Sequence, residues 1–453
     1  MAEPVTRPWD ELEGLIRARD AAGIARFFAE LPPGEIARVI ARLDEDEQTH
    51  ILRELKPAHA AGLVGQVPDT QAVAMIGRLE PPEAAAILET LPSNERADLL
   101  TSIAPPEAEA ILAEMAPEKA DAVRELARYA PDVTGGLMVK EFLAYPLDRT
   151  VADVVDDLRR NVERYKRYDV QYAYVTEDGR LVGVLRLRDL LLAAPATPLS
   201  RVALPDPVRL RDDATLDELR EFFRRHAYFG VPVVDREGRL LGVVRRSAVK
   251  EALAERTAED YLKSQGIVGG EELRTMPLLT RSRRRLSWLT VNILLNVVAA
   301  SVIAVYQDTL SAVIALAVFL PIISDMSGCS GNQAVAVSIR ELTLGLVRPV
   351  DMLRVWLKEI AVGSFNGLIL GLLVAGVAVL WKGNVWLGVV VGAAMAVNTV
   401  VAVTVGGLVP LVLRRMRMDP ALASGPILTT ITDLCGFLLI LGLATQFLPR
   451  LTA

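Results

Sequence analysis

The sequence has little of what most protein chemistry relies on. Its 453 residues include two cysteines, Cys329 and Cys435, and three histidines, His50, His59 and His226. Two thiols in apolar stretches exclude a disulfide framework and fit a reducing compartment. The histidines form no metal-ligand spacing. There is no phosphate-cradling glycine loop, no nucleophile–base motif and no metal-hydrolase pattern, so no enzyme is expected. The net charge is −6, and the basic face that nucleic acid requires is missing. The opening residues, MAEPVTRPWDELEG, have neither a cationic start nor an apolar run. No cleavable leader is therefore expected, and the charged part is expected to stay in the cytoplasm.

What is present is unevenly divided. Residues 1–280 carry 37 Lys+Arg against 49 Asp+Glu, whereas residues 281–453 carry 13 against 7. After Arg285 come five apolar stretches, at 286–306, 310–327, 360–381, 385–413 and 426–448. A span takes about 20 apolar residues. Four stretches satisfy this, and the second, 310–327, is marginal and ends in the polar run SDMSGCSGNQ. The expectation is a five-helix membrane domain over 281–453. Arginines and lysines collect before the first stretch, between the second and third, and between the fourth and fifth. The positive-inside rule then places the N-terminus in the cytoplasm and the C-terminus outside the plasma (inner) membrane. Gly363, Gly367 and Gly371 recur every four residues, a groove for close helix packing.

Polar residues inside such stretches are the informative ones, because an ionisable group at membrane depth must face a cavity or a partner. Asp433 stands in the middle of the last stretch, with Thr429 and Gly436 on the same helical stripe. A carboxylate, a hydroxyl and exposed backbone suit a hydrated hard cation, which takes oxygen ligands and keeps several waters. A protonated Asp433 that merely bridges helices is the alternative. Asp325, Asn332 and Gln333 form a second polar cluster, unless Gly328, Ser330 and Gly331 simply break the helix there.

The charged half contains repeats. AYVTEDGRLVGVLRLRDLL at 173–191 recurs as PVVDREGRLLGVVRRSAVK at 232–250, each copy preceded by an amphipathic helix opened by Thr150 or Thr215. The pattern reads strand, turn, strand, helix. This helix–strand–strand–helix repeat resembles a tandem pair of CBS domains, at about 134–194 and 199–255 within 131–250. The resemblance implies an adenine nucleotide, ATP being one candidate, in the cleft between repeats; a purely structural CBS pair is the alternative. Arg188 and Asp189 match its phosphate and ribose contacts, a guanidinium and a carboxylate respectively. The second copy has Ser247 and Ala248 there instead. Over residues 1–130, Pro68, Pro81, Pro92, Pro105 and Pro117 fall 11–13 residues apart. Proline suits the first turn of a helix, so short helices stacked as an α-solenoid are expected. The solenoid carries 13 basic against 24 acidic residues, either a solvated face or a cation-sensing one. Residues 248–265 read as a helix leading through Gly266, Gly269 and Gly270 to the first span, a connecting element over 248–280.

The order of solenoid, CBS pair, connecting helix and five spans resembles the MgtE family of magnesium channels over nearly the whole chain. GNQ at 331–333 and DPALASGP…TTITDLCG at 419–436 are its most specific local matches. The resemblance implies a homodimer in the lipid bilayer, with Asp433, Thr429 and Asn332 lining the path. It also implies a cytoplasmic part that binds Mg²⁺ to close the pore through a plug-like connecting helix. Glu255, Glu259 and Asp260 on that helix are the expected regulatory ligands, with Glu45 and Glu47 contributing less. A route for Co²⁺, Mn²⁺ or Zn²⁺, or a non-conducting sensor, is the alternative. The scarcity of imidazole and thiolate favours a hard ion, and a mid-membrane carboxylate speaks for conduction.

Overall fold

The computed structural model describes residues 8–166, 168, 171–267, 272–274 and 276–452. Gly269 and Gly270 of the expected linker lie outside the described residues. The chain divides into two compact units, Met1–Glu255 and Arg256–Ala453.

The first unit begins with ten short helices, from Pro8–Ala18 to Pro117–Leu126. Pro81, Pro105 and Pro117 occupy the first helical position, where the missing N–H is not needed. Pro68 and Pro92 stand one residue earlier, at the N-cap. From Glu45–Glu54 onward each helix packs on the one two places along, so alternate helices form two layers. Ile51, Met75, Ile76 and Leu88 fill the space between them and are almost wholly buried.

Two small sheets follow. In the first, Leu143–Pro146 runs parallel to Tyr172–Glu177, which pairs antiparallel with Arg180–Arg186. In the second, Leu210–Arg211, Gly230–Val234 and Leu240–Arg245 repeat that arrangement. The helices Val151–Arg160 and Leu216–Arg225 open with capping boxes at Thr150 and Thr215. Gly179 and Gly238 take φ of 79° and 82° in the two hairpin turns, where a side chain would be strained. The turns also join the repeats to each other. Leu181 N donates to Gly238 O at 3.0 Å, and Leu240 N donates to Gly179 O at 3.1 Å. The repeat read in the sequence is thus a structural pair with reciprocal contacts.

A helix, Arg246–Ser264, spans the division between the units. The second unit holds five long helices: Leu278–Val305, Leu316–Leu344, Met352–Lys382, Val385–Arg415 and Pro420–Gln446. They are called here the first to fifth long helices. Four of them contain segments long and apolar enough to cross a membrane. The five-span expectation is therefore met by four helices on these grounds. The exception is the second long helix, whose middle is polar. It also begins later than the expected 310, because a short helix, Gln307–Ala312, precedes it. It does not break at Gly328–Gly331. Ser330 donates to the Met326 carbonyl within the helix, at 3.0 Å. A Cβ on Gly406 of the fourth helix would lie 2.3 Å from the Gly331 carbonyl oxygen, so Gly331 serves close packing. The same holds for the Gly363–Gly367–Gly371 groove, where a Cβ on Gly367 would lie 2.5 Å from Ala396 O.

Candidate functional site

Three side-chain hydrogen bonds tie the second, fourth and fifth long helices together pairwise. Ser324 Oγ donates to Asp433 Oδ1, joining second to fifth. Ser338 Oγ donates to Gly407 O at 2.8 Å, joining second to fourth. Asn398 Nδ2 donates to Thr432 O at 3.1 Å, joining fourth to fifth. Hydrogen bonds across apolar helices set their register, since an unpaired polar group there is costly.

Asp433 lies on this framework and is half-buried, while Thr429 one turn earlier is exposed. The Thr429 hydroxyl donates back to Gly425 O at 3.0 Å, leaving its oxygen lone pairs outward. Gly436 does not expose backbone as the stripe suggested. It is buried, and Asn398 packs against it. Asp325 follows the Asp433 partner Ser324, and Asp325, Cys329 and Asn332 are all exposed. Their spacing of four and three residues puts them along one face of the second long helix. Among the described residues, no group of three or more His, Cys, Asp or Glu side chains is placed to hold a metal ion. A lone carboxylate with hydroxyl and amide neighbours instead suits an ion that keeps its waters.

The three acids of the connecting helix fall into two environments. Glu255 lies with the first unit, where it acts electrostatically on Asp98 of the helix Ser93–Ser102. Asp98 has solvent on one side but is crowded by protein, which pushes its carboxyl up to about 7. Asp69, Glu255 and Glu95 add to the rise. Burial likewise raises Asp69 and Glu95. This four-acid concentration was not singled out in the sequence, because Asp69 and Glu255 are far along the chain from Glu95 and Asp98, which share one helix. Glu259 and Asp260 instead lie near Asp419, the N-cap of the fifth long helix. Lys263 Nζ stands 3.5 Å from Glu259 Oε2 and 3.4 Å from Asp419 Oδ2. The acids expected to matter less already have partners. Glu45 pairs with Arg78 at 2.8 Å, and Glu47 closes a capping box with Asp44.

Arg188 and Asp189 stand in the first turn of the helix Leu187–Leu192, 3.2 Å apart and paired with each other. A separate cavity of 330 Å³ lies between the two repeats. Phe142, Tyr172, Tyr174 and Phe229 give it aromatic walls, and Arg245, Arg246 and Lys250 give it cations. Arg188 and Asp189 are not among its lining residues. Its wall also includes Glu141, which accepts from Ser93 Oγ at 2.7 Å and so reaches the helical layer that carries Asp98.

Comparison with known proteins gives a consistent picture. A divalent cation transporter family model, MgtE, matches residues 320–443. The MgtE intracellular N domain model matches 31–132, and the CBS domain model matches 133–196 and 199–255. The magnesium transporter MgtE of Thermus thermophilus is 35% identical over 341 residues, 73% of this chain and 74% of the relative. That of Bacillus subtilis is 29% identical, over 75% of each. A solved structure of the cytosolic domain of the Mg²⁺ channel MgtE in complex with ATP covers 54% of this chain and 99% of its own. It has a TM-score of 0.50 at 29% identity.

Proposed function

The chain belongs to the MgtE family of divalent cation transporters and carries Mg²⁺ across a membrane, and from that premise we propose a passive channel formed by two copies and closed by cytoplasmic Mg²⁺. The observation that carries this reading is the placement of Asp433 and Thr429. They lie deep in the fifth long helix yet on an accessible face of a single chain. A carboxylate facing hydrocarbon costs at least a few kcal/mol. That face is therefore lined by water, and a second copy related by a two-fold axis encloses it.

In this reading the second long helix is the fifth span. Its polar middle lowers its apolarity because Asp325 and Asn332 border the same path. The cation keeps most of its waters and is stabilised by the paired Asp433 carboxylates. Movement is driven by the membrane potential, about 2.3 kcal/mol per elementary charge per 100 mV, twice that for a divalent ion. The arginine-rich ends face the cytoplasm of the inner membrane, which puts the C-terminus outside.

The layered helices of residues 8–126 act as the α-solenoid arm of the sensor. Regulatory Mg²⁺, with its waters, is drawn electrostatically to the acids around Asp98 and Glu255 and to those around Glu259, Asp260 and Asp419, which are not close enough to one another to ligate it directly. Their crowded negative charge is relieved by a divalent ion, and an ion that binds the closed state better shifts the population toward it. ATP binds the CBS pair, as the ATP complex of the related cytosolic domain supports. Aromatic faces would hold the base and cations the phosphates. The test is growth rescue of a cell lacking its Mg²⁺ uptake systems. Rescue at low external Mg²⁺ supports the reading, and no rescue by a well-expressed membrane-inserted chain refutes it.

A further inference from the structure

Asn398 is fully buried in the fourth long helix, within the otherwise apolar run AAMAVNTVVAV. Its Nδ2 donates to Thr432 O, while its Oδ1 is buried without a hydrogen-bond partner. An apolar side chain would avoid that unsatisfied atom, so the amide is held at a cost in free energy. The other buried side chains of these two helices that form hydrogen bonds, Thr399, Ser424 and Thr432, bond back to their own helix. Asn398 instead crosses to its neighbour, and it reaches the carbonyl immediately before Asp433.

The approach depends on one residue of the receiving helix. A Cβ at Gly436 would lie 2.8 Å from Asn398 Nδ2 and 3.4 Å from its Cγ. Any larger residue at 436 would push the amide off the backbone. Gly436 is thus the slot through which Asn398 reaches Thr432. Ser324 bonds the Asp433 carboxylate from the second helix, so the position of Asp433 is fixed twice: at its carboxylate and at the peptide beside it.

We propose that Asn398 is a positioning residue that sets where the Asp433 carboxylate stands, and that it thereby tunes which divalent cation the path accepts. The proposal rests on the reading that Asp433 lines the ion path. A small cation demands near-ideal octahedral geometry and tolerates displacement of a carboxylate less well than a larger, more flexibly coordinated ion. Groups that orient metal-binding side chains without touching the ion typically change affinity by about 10- to 100-fold when removed. The effect should fall on affinity and ion preference more than on maximal flux.

The experiment measures Mg²⁺ uptake into liposomes by the full-length protein, over a range of Mg²⁺ and with the larger Ca²⁺ as competitor. The variants are Asn398→Ala, Gly436→Ala, the double variant and Asp433→Asn. Asn398→Ala and Gly436→Ala should each weaken apparent Mg²⁺ affinity by about tenfold and lower the preference for Mg²⁺. Because both break one contact, the double variant should be no worse than either single one. Gly436→Ala reaches the contact from the other side if Asn398→Ala does not assemble. If Asp433→Asn conducts as wild type does, the pathway reading itself fails. If Asp433→Asn is inactive while Asn398→Ala and Gly436→Ala keep wild-type affinity and preference, the positioning role is overturned. Strictly additive losses in the double variant would also overturn it.

Discussion

Lys263 near the end of the connecting helix pairs with Asp419, the residue that caps the last long helix. Burial lowers the Lys263 ammonium, but Asp419 and Glu259 outweigh it, so its affinity for the proton is raised overall. Both partners are partly exposed, and such a pair adds little stability, about 0–1 kcal/mol. Its significance is electrostatic. Glu259, Asp260 and Asp419 are three acids around one ammonium, and a divalent ion would compete with Lys263 for them.

Replacing that ammonium should therefore ease entry of the ion. Lys263→Met is expected to move the midpoint of Mg²⁺ inhibition to lower concentration, read as flux against internal Mg²⁺. A midpoint identical to wild type would remove Lys263 from the gate.

Neutralising Glu255, Glu259 and Asp260 together should move the same midpoint upward and weaken Mg²⁺-dependent protection from proteolysis. Glu45→Gln with Glu47→Gln should do less, since those acids serve an ion pair and a cap. Coincident inhibition curves for wild type and the triple variant would contradict the gating scheme.

The acids near Asp98 give a pH dependence with a defined sign. The folded carboxyl holds its proton up to about 7, against 3.8 when unconstrained. The native state then binds more protons between those values, so this group's contribution to stability falls as pH rises through that window. Without divalent ions, the unfolding temperature of the full chain should drop between pH 5 and about 8. Saturating Mg²⁺ or Asp98→Asn should flatten that slope. A profile of wild-type protein already flat without Mg²⁺ would show that Asp98 carries no such strain.

Lys250→Ala should weaken ATP binding to the full chain by about tenfold, the size expected for losing a charged hydrogen-bonding group. Isothermal calorimetry reads this directly. Asp189→Ala, measured alongside, reports on a position outside the cavity between the repeats and should do less. No detectable ATP binding by the wild-type protein would dismiss the nucleotide reading.

Much of this architecture was legible in the sequence, because it rests on periodicity. The Gly179 and Gly238 turns, the capping threonines and the proline spacing each state a local backbone requirement. Asp433 was legible because charge in an apolar run is conspicuous. Asn398 carries the same kind of signal, a lone amide in an apolar run, but its meaning depends on Gly436 opposite, which only packing reveals. The meeting of Asp69 and Glu255 with the helix pair Glu95 and Asp98 is likewise a property of the fold, since no local pattern links the three segments. Whether the second long helix breaks at Gly328–Gly331 stayed open in the sequence, because glycine both breaks helices and lets them touch. The backbone approach of Gly331 to Gly406 decides between the two.

The central claim is that Asp433 lines the path of the ion, and Asp433→Asn tests it most directly, since the change removes the charge and keeps the volume. Mg²⁺ flux into liposomes holding equal amounts of correctly assembled wild-type and variant protein is the measurement. The account predicts that most flux is lost while expression and assembly are unchanged. Flux through Asp433→Asn equal to wild type would contradict it.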